Sequence, residues 1–138
     1  MGLSTSQNQV TWSASNSQSV SAGGNATSDA ETIDGAMTAG SVTVKADNGG
    51  TPADGDIVEV RILYTNGDTD AEGDSADEYD DRDSIPPVLL DTYETDPAIV
   101  TLPLMVAKAY KVDTVSQAAS NSITVSAQDS QQVWADPS

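Results

Sequence analysis

The sequence predicts an all-β fold, an antiparallel β-sandwich of the jelly-roll or immunoglobulin-like kind with seven to nine short strands. Two observations predict it: apolar residues alternate with polar ones in short runs, and turn-forming residues separate these runs. No segment shows helical periodicity, and many short strands without intervening helices are typical of two packed antiparallel sheets. Few Leu, Ile and Val, no Phe and a high net charge are also typical of disordered chains, but the alternation argues against disorder.

The strand runs differ in strength along the chain. Residues 10–22 give two weak β signals rich in Ser and Thr, which we expect at the periphery of the fold. Residues 41–46 alternate Val or Ala with Thr or Lys, as in a half-buried strand, and residues 56–65 form the predicted central strand. Further strands are predicted at residues 88–93, 99–106, 109–115 and 121–127. Pro103 cannot donate a ladder hydrogen bond, so its run should lie at a sheet edge or carry a bulge.

The length of 138 residues fits one domain with its own core. We expect this sandwich domain at residues 10–130. Residues 1–9 are predicted to be a flexible N-terminal arm, and residues 131–138 a C-terminal tail, because both ends are polar. Both ends are expected to extend from the sandwich and reach a neighbouring molecule.

The composition excludes several classes of function. A formal net charge of −17 repels phosphate backbones and anionic lipid headgroups, so we expect neither a nucleic acid nor a membrane as partner. The chain contains no His and no Cys, which removes the commonest proton shuttle, thiol nucleophiles and thiolate metal sites. Its carboxylates crowd into loops and are not isolated among apolar residues, as a catalytic pair would be. The sequence therefore predicts that the protein is not an enzyme.

An acidic segment at residues 68–83 is the most conspicuous feature of the chain. Oxygen ligands at short spacing around Gly73 are the kind that calcium prefers. The candidate ligands are Asp68, Asp70, Glu72, Asp74 and Asp77. An EF-hand is excluded, because Tyr79 stands where the bidentate Glu belongs and strands flank the loop. A calcium site of another geometry, a solvated loop and a flap that meets Lys or Arg of a partner all remain open interpretations.

Aromatic residues are scarce, which draws attention to three of them as candidate interface residues. Trp12 and Trp134 lie near opposite ends of the chain, and Tyr79 lies in the acidic segment. Amphipathic rings of this kind lock terminal strands or anchor interfaces. Core packing is the expected role of at least one of the two tryptophans.

Four stretches of the sequence carry a resemblance to a known family. They are VTWSA at residues 10–14, TPADGDIVE at 51–59, YTNGD at 64–68 with the acidic segment up to DEYD at 77–80, and SITVSA at 122–127. In these stretches the chain resembles the head decoration, or cement, proteins of tailed bacteriophages, which are small β-sandwich virion proteins. The resemblance implies a structural protein on the outer surface of the capsid. Such a protein binds the major capsid protein, stabilises the shell, forms a dimer or trimer and requires no cofactor.

A second function from another class is also compatible with the sequence. A β-sandwich with a carboxylate-rich loop can be a calcium-assisted carbohydrate-binding or host-adhesion module. The usual signature of such a module is a platform of exposed aromatic rings. With two Trp and four Tyr in the chain, such a platform would contain few aromatic rings.

Overall fold

The computed structural model describes residues 2–67, 77–79 and 86–135. The strands of the described residues are β1 Gly2–Val10, β2 Gln18–Val20, β3 Asn25–Thr27, β4 Glu31–Thr32, β5 Met37–Asn48, β6 Ile57–Thr65, β7 Val88–Asp91, β8 Ala98–Pro103, β9 Ala109–Ser116 and β10 Ile123–Ala135. Within this part of the chain there is no helix long and apolar enough to cross a membrane.

The strands form two antiparallel sheets of five strands each. Sheet A has the order β1-β10-β5-β8, with β2 beside the start of β10, and sheet B has the order β3-β9-β6-β7, with β4 beside the start of β9. Apolar side chains from both sheets meet in one core cluster. The predicted β-sandwich is therefore confirmed, with ten strands among the described residues in place of seven to nine.

The core follows the alternation of the sequence. Val42 and Val44 of β5 and Val58 and Val60 of β6 are buried, while the residues between them are partly or fully exposed. Strand β6 lies between β9 and β7, as expected of a central strand. Strand β8, which ends at Pro103, lies at the edge of sheet A, where the missing N–H of proline is tolerated.

The structure corrects the expected boundaries of the sandwich. The predicted arm, residues 1–9, is largely a strand: Gly2–Val10 pairs with β10 along its whole length, from Gly2 opposite Ala135 to Val10 opposite Ala127. The predicted tail at 131–138 begins inside β10, which continues to Ala135. Both predictions assumed that a polar segment without apolar alternation does not form a strand. Here, however, backbone pairing and polar contacts between β1 and β10 hold both segments in the sheet.

A polar network closes one end of the sandwich around the buried Asp56. Its Oδ2 atom accepts hydrogen bonds from Asn48 Nδ2 (2.9 Å), Asn121 Nδ2 (2.8 Å) and the Ala53 backbone N–H (3.0 Å). The Asp56 carbonyl accepts a hydrogen bond from the Thr92 hydroxyl (2.8 Å). These donors stabilise the charged carboxylate and lower the pKa of Asp56, the bond from Asn121 contributing most. The network thus connects the end of β5 with the segments before β6, after β7 and before β10.

A second polar network lies between the sheets, around Asp129 of β10. Its carboxylate accepts hydrogen bonds from the Tyr110 hydroxyl (2.7 Å), Asn8 Nδ2 (2.9 Å) and Gln131 Nε2 (3.1 Å). Asp129 and Tyr110 are both buried, and burial raises the pKa of Tyr110, with the hydrogen bond to Asp129 acting in the same direction. The network joins β1, β9 and β10 across the gap between the sheets.

Glu31, on β4, is stabilised less well than these two carboxylates. Burial raises the pKa of Glu31, and repulsion from Asp129 and Asp29 adds to the shift. A raised carboxyl pKa in the folded state means that the ionised group opposes folding above that pKa. We therefore expect Glu31→Gln to stabilise the protein at pH 7, by less than about 1 kcal/mol because the side chain is partly solvated. The gain in melting temperature should vanish as the pH falls to 4.5, the ordinary pKa of Glu, and below. A gain that persists at pH 3 would contradict the electrostatic cause.

Candidate binding face

The outer surface of sheet A is a broad polar face formed by β1, β10, β5 and β8. Because side chains alternate along a strand, burial of Val44, Val125 and Ala127 turns their neighbours outward. The outward side chains are mostly amides and hydroxyls; they include Thr5, Gln7, Gln9, Ser41, Thr43, Thr101, Ser126, Gln128, Ser130 and Gln132. We refer to this surface as the amide face.

The register of the strands arranges these side chains in rows across the sheet. In one row, Gln9 lies opposite Gln128, which lies opposite Thr43, which lies opposite Thr101. The hydroxyls of Thr43 and Thr101 are 2.9 Å apart and hydrogen-bonded. The Gln9 amide donates to the Ala127 carbonyl (2.8 Å), which holds its side chain against the sheet. Three shallow grooves of about 280, 210 and 310 Å³ follow these rows.

The amide face is nearly free of charge. Among the outward side chains of its four described strands, Lys45 and Asp47 are ionisable, and their formal charges cancel. The rest of the chain carries a net charge of −17. A partner can therefore approach this face without the repulsion that the chain as a whole presents to acidic surfaces.

An exposed aromatic residue lies at one end of the amide face. Trp134 of β10 is 48% exposed and lies directly opposite Leu3 of β1, which is 54% exposed. The Trp134 backbone N–H donates to the Ala36 carbonyl (3.0 Å), which fixes the strand at this end. Large apolar side chains that are held on rigid strands and exposed to water are typical anchors of binding surfaces.

The other predicted interface residues lie elsewhere. Trp12 is 2% exposed and belongs to the core, which is the role expected of one tryptophan. Its turn is closed by mutual backbone hydrogen bonds with Ser15, and Asp29 accepts hydrogen bonds from the N–H groups of Ser13 and Ala14 in this turn. These bonds lower the pKa of Asp29, with the one from Ala14 contributing most.

Tyr79 and Asp77 lie beside sheet B, away from the amide face. Lys111, which points outward from β9, has its Nζ atom 4.4 Å from the centroid of the half-buried Tyr79 ring. Lys108 Nζ contacts both carboxylate oxygens of Asp77, at 2.8 and 3.0 Å. The hydrogen bond to Asp77 raises the pKa of Lys108, and burial raises the pKa of Tyr79. The structure therefore does not bring Tyr79 together with Trp134.

The predicted calcium ligands are largely outside the described residues. Asp68, Asp70, Glu72 and Asp74 fall there, and Asp77 is paired with Lys108. Within residues 2–67, 77–79 and 86–135, no group of three or more Asp or Glu side chains is arranged to hold a metal ion. The calcium interpretation of the acidic segment stays a prediction.

Sequence reasoning missed the amide face because its residues carry no recognisable motif. Gln, Ser and Thr at every second position were read as the polar side of ordinary strands or, in residues 1–9 and 131–138, as flexible ends. One signal was present in the sequence. Residues 2–28 and 114–128 contain no basic and no acidic residue, although the chain has 22 acidic residues in all.

Comparisons with known proteins give matches among solved structures alone. No family model matches the chain, and no curated protein matches it. Among solved structures it is similar to the CBM22-1 xylan-binding domain from Paenibacillus barcinonensis Xyn10C, with 8% identity and a TM-score of 0.44 over 98% of this chain and 88% of that chain. It is also similar to BtGH115A, a family GH115 4-O-methyl-alpha-glucuronidase with specificity for decorated arabinogalactans. There the identity is 12% and the TM-score 0.39, over 95% of this chain and 16% of that chain. Similarities of this size carry no information about function.

Proposed function

We propose that this chain is a non-enzymatic structural protein that binds a larger assembly through its amide face. The assembly implied by the sequence resemblance is the capsid of a tailed bacteriophage, with the chain as a decoration subunit on the outer surface of the major capsid protein shell. The observation that carries the proposal is a sheet face of no net charge with an exposed Trp134 on a chain of net charge −17. Interface centres are depleted of charge and enriched in aromatic residues in the same way.

The buried titratable groups support a role in binding rather than catalysis. Asp56 and the Tyr110–Asp129 pair are at most 2% exposed, and protein donors and acceptors already occupy them. A general acid or base must reach its substrate directly or through one water molecule. These groups are placed to stabilise the fold, which suits a protein that works through its surface.

Binding to the shell is the direct test of this function. Shells assembled from the major capsid protein of a tailed bacteriophage whose genome encodes this chain should retain it in a sedimentation assay. Trp134→Ala should weaken the binding roughly 30-fold, since truncating a dominant aromatic anchor costs about 2 kcal/mol or more. Leu89→Ala is the matched control: Leu89 is 54% exposed, but it lies on the outer side of sheet B, so its removal should leave the affinity unchanged. Loss of binding by Leu89→Ala and not by Trp134→Ala would mean that sheet B, and not the amide face, contacts the shell.

A second candidate function is favoured by the side chains of the same face. Gln7, Gln128 and Gln132 can each donate and accept hydrogen bonds, as vicinal sugar hydroxyls require, and the Trp134 ring offers a stacking surface. The face therefore also suits a neutral polysaccharide, as in a carbohydrate-binding or host-adhesion module. Retention on insoluble neutral polysaccharides, without binding to shells, would favour this candidate. Loss of that retention on chelation would favour its calcium-assisted form.

A further inference from the structure

Strand β1 has an open edge. One side of its nine residues pairs with β10, and no described strand pairs with the other side. Among the described residues, no backbone N–H or carbonyl from Gly2 to Val10 forms a backbone hydrogen bond outside the β1–β10 ladder. Val10 is fully buried, but Gly2 to Gln9 are partly or fully exposed, so alternate backbone groups of these residues are available to another strand.

The other sheet edges in the described part of the chain are protected. Strand β8 follows Pro97 and ends at Pro103, and β7 follows Pro86 and Pro87. Strands β2, β3 and β4 are two or three residues long. Short strands and prolines are the usual means of blocking edge-to-edge pairing. Strand β1 has neither, and it contains no charged residue.

The lack of charge on β1 favours a second copy of this chain as the partner. Two copies of a chain with a net charge of −17 repel each other over most of their surfaces. They can approach most closely where both surfaces lack net charge, and β1 contains no charged residue while Lys45 and Asp47 cancel on the amide face. Asp34, which lines a groove beside Ser6 and Asn8, is an acidic neighbour of this edge, and its carboxylate accepts a hydrogen bond from the Ala36 N–H (2.8 Å).

We infer that two copies of this chain form a dimer by antiparallel pairing of their β1 strands, which joins the two A sheets into one continuous sheet. Overlap of the exposed residues from Leu3 to Gln9 places the twofold axis at Ser6, so that Ser6 lies opposite Ser6 of the second copy. Leu3 then lies opposite Gln9, and Thr5 opposite Gln7. The pairing uses the one long unprotected sheet edge in the described part of each copy, so the assembly closes at two copies.

This inference rests on the proposed function, because a decoration protein is expected to form a homo-oligomer. It specifies which surface the two copies use. Its test needs only the purified protein in solution, without shells or polysaccharides. Failure of the dimer and failure of shell binding are therefore separate results.

Disulfide trapping tests the register, since the chain contains no cysteine. Opposed residues of antiparallel strands have Cα atoms about 4.5 to 5.5 Å apart, within the range that a disulfide bridges. Ser6→Cys should give a covalent dimer on mild oxidation, and so should the double variant Leu3→Cys with Gln9→Cys. Leu3→Cys and Gln9→Cys alone are the controls and should stay uncrosslinked. The two positions lie about 20 Å apart within one strand, so an internal disulfide is excluded.

Charge substitution on the edge gives an independent test. Thr5→Glu with Gln7→Glu places like charges opposite each other across the twofold axis and should weaken the dimer roughly tenfold or more in sedimentation velocity. Thr5→Lys with Gln7→Glu keeps the formal charge of the wild type, pairs opposite charges, and should restore the dimer. A monomeric wild type at micromolar concentration would overturn the inference. It would also be overturned if all single cysteine variants crosslinked equally, or if both double charge variants dimerised as tightly as the wild type.

Discussion

Asp56→Ala is expected to lower the free energy of unfolding by about 3 kcal/mol. The variant removes the acceptor shared by Asn48, Asn121 and the Ala53 N–H, and it leaves three buried or partly buried donors without this partner. Each orphaned donor costs on the order of 1 kcal/mol, because Asp56 is buried and its three hydrogen bonds are buried or partly buried. Urea unfolding followed by tryptophan fluorescence would measure the loss, since Trp12 lies in the core.

The same interactions predict how stability depends on pH. The folded-state pKa of Asp56 lies below its ordinary value of 3.8, so the folded state holds this proton less tightly than the unfolded state does. The stabilisation is therefore complete above pH 3.8 and is lost as the pH falls through the lowered pKa. In Asp56→Ala this part of the acid dependence should disappear, and the stability difference from the wild type should shrink below pH 3.8.

Asp47→Ala is the matched control for this prediction. Asp47 lies on the same strand as Asn48, but its side chain is exposed on the outer side of sheet A. Removing it should change the free energy of unfolding by no more than about 0.5 kcal/mol. Equal losses from Asp47→Ala and Asp56→Ala would mean that overall charge, rather than the hydrogen-bond network, accounts for the effect.

The sequence predicted the parts of the fold in which hydrophobic burial directs the chain. Strands β5 and β6 alternate Val and Ile with polar residues, and their burial follows that pattern. Pro103 correctly indicated an edge strand, because a proline has no N–H to donate to a neighbouring strand, whatever that strand is. Such signals are local and need no knowledge of the partner strand.

The sequence did not predict the strands that are held by polar contacts. The inward residues of β10 change from Ile123, Val125 and Ala127 to Asp129 and Gln131, so the apolar alternation ends while the strand continues. The inward residues of β1 are polar for the same reason, since they face this half of β10. Polar residues stabilise these strands because their partners are in place, and those partners come from other parts of the chain: Asn8 is 121 positions from Asp129, and Thr32 is 99 positions from Gln131.

The candidate binding face could be predicted only in fragments. Both tryptophans were predicted as interface residues from the scarcity of aromatic residues, but Trp12 is buried and Trp134 is exposed. The difference comes from tertiary position. Trp12 lies in a turn clamped by Asp29, whereas Trp134 follows the polar half of β10 and points outward. The neutral character of the amide face becomes visible only when four strands are placed side by side.

Asp129→Ala should also lower the free energy of unfolding by about 3 kcal/mol, and it should do so by loosening β1. The variant leaves the Tyr110 hydroxyl and the amides of Asn8 and Gln131 without their shared acceptor, and the Asn8 contact joins β1 to β10 through side chains. Amide hydrogen exchange should therefore accelerate first in β1, ahead of β5 and β6.

Tyr110→Phe, which removes one donor and keeps the ring, should cost about 1 kcal/mol. The double variant should cost less than the sum of the single changes, because Phe leaves no hydroxyl to be orphaned. Additive losses, or unchanged exchange in β1, would mean that Asp129 does not connect the edge strand to the core.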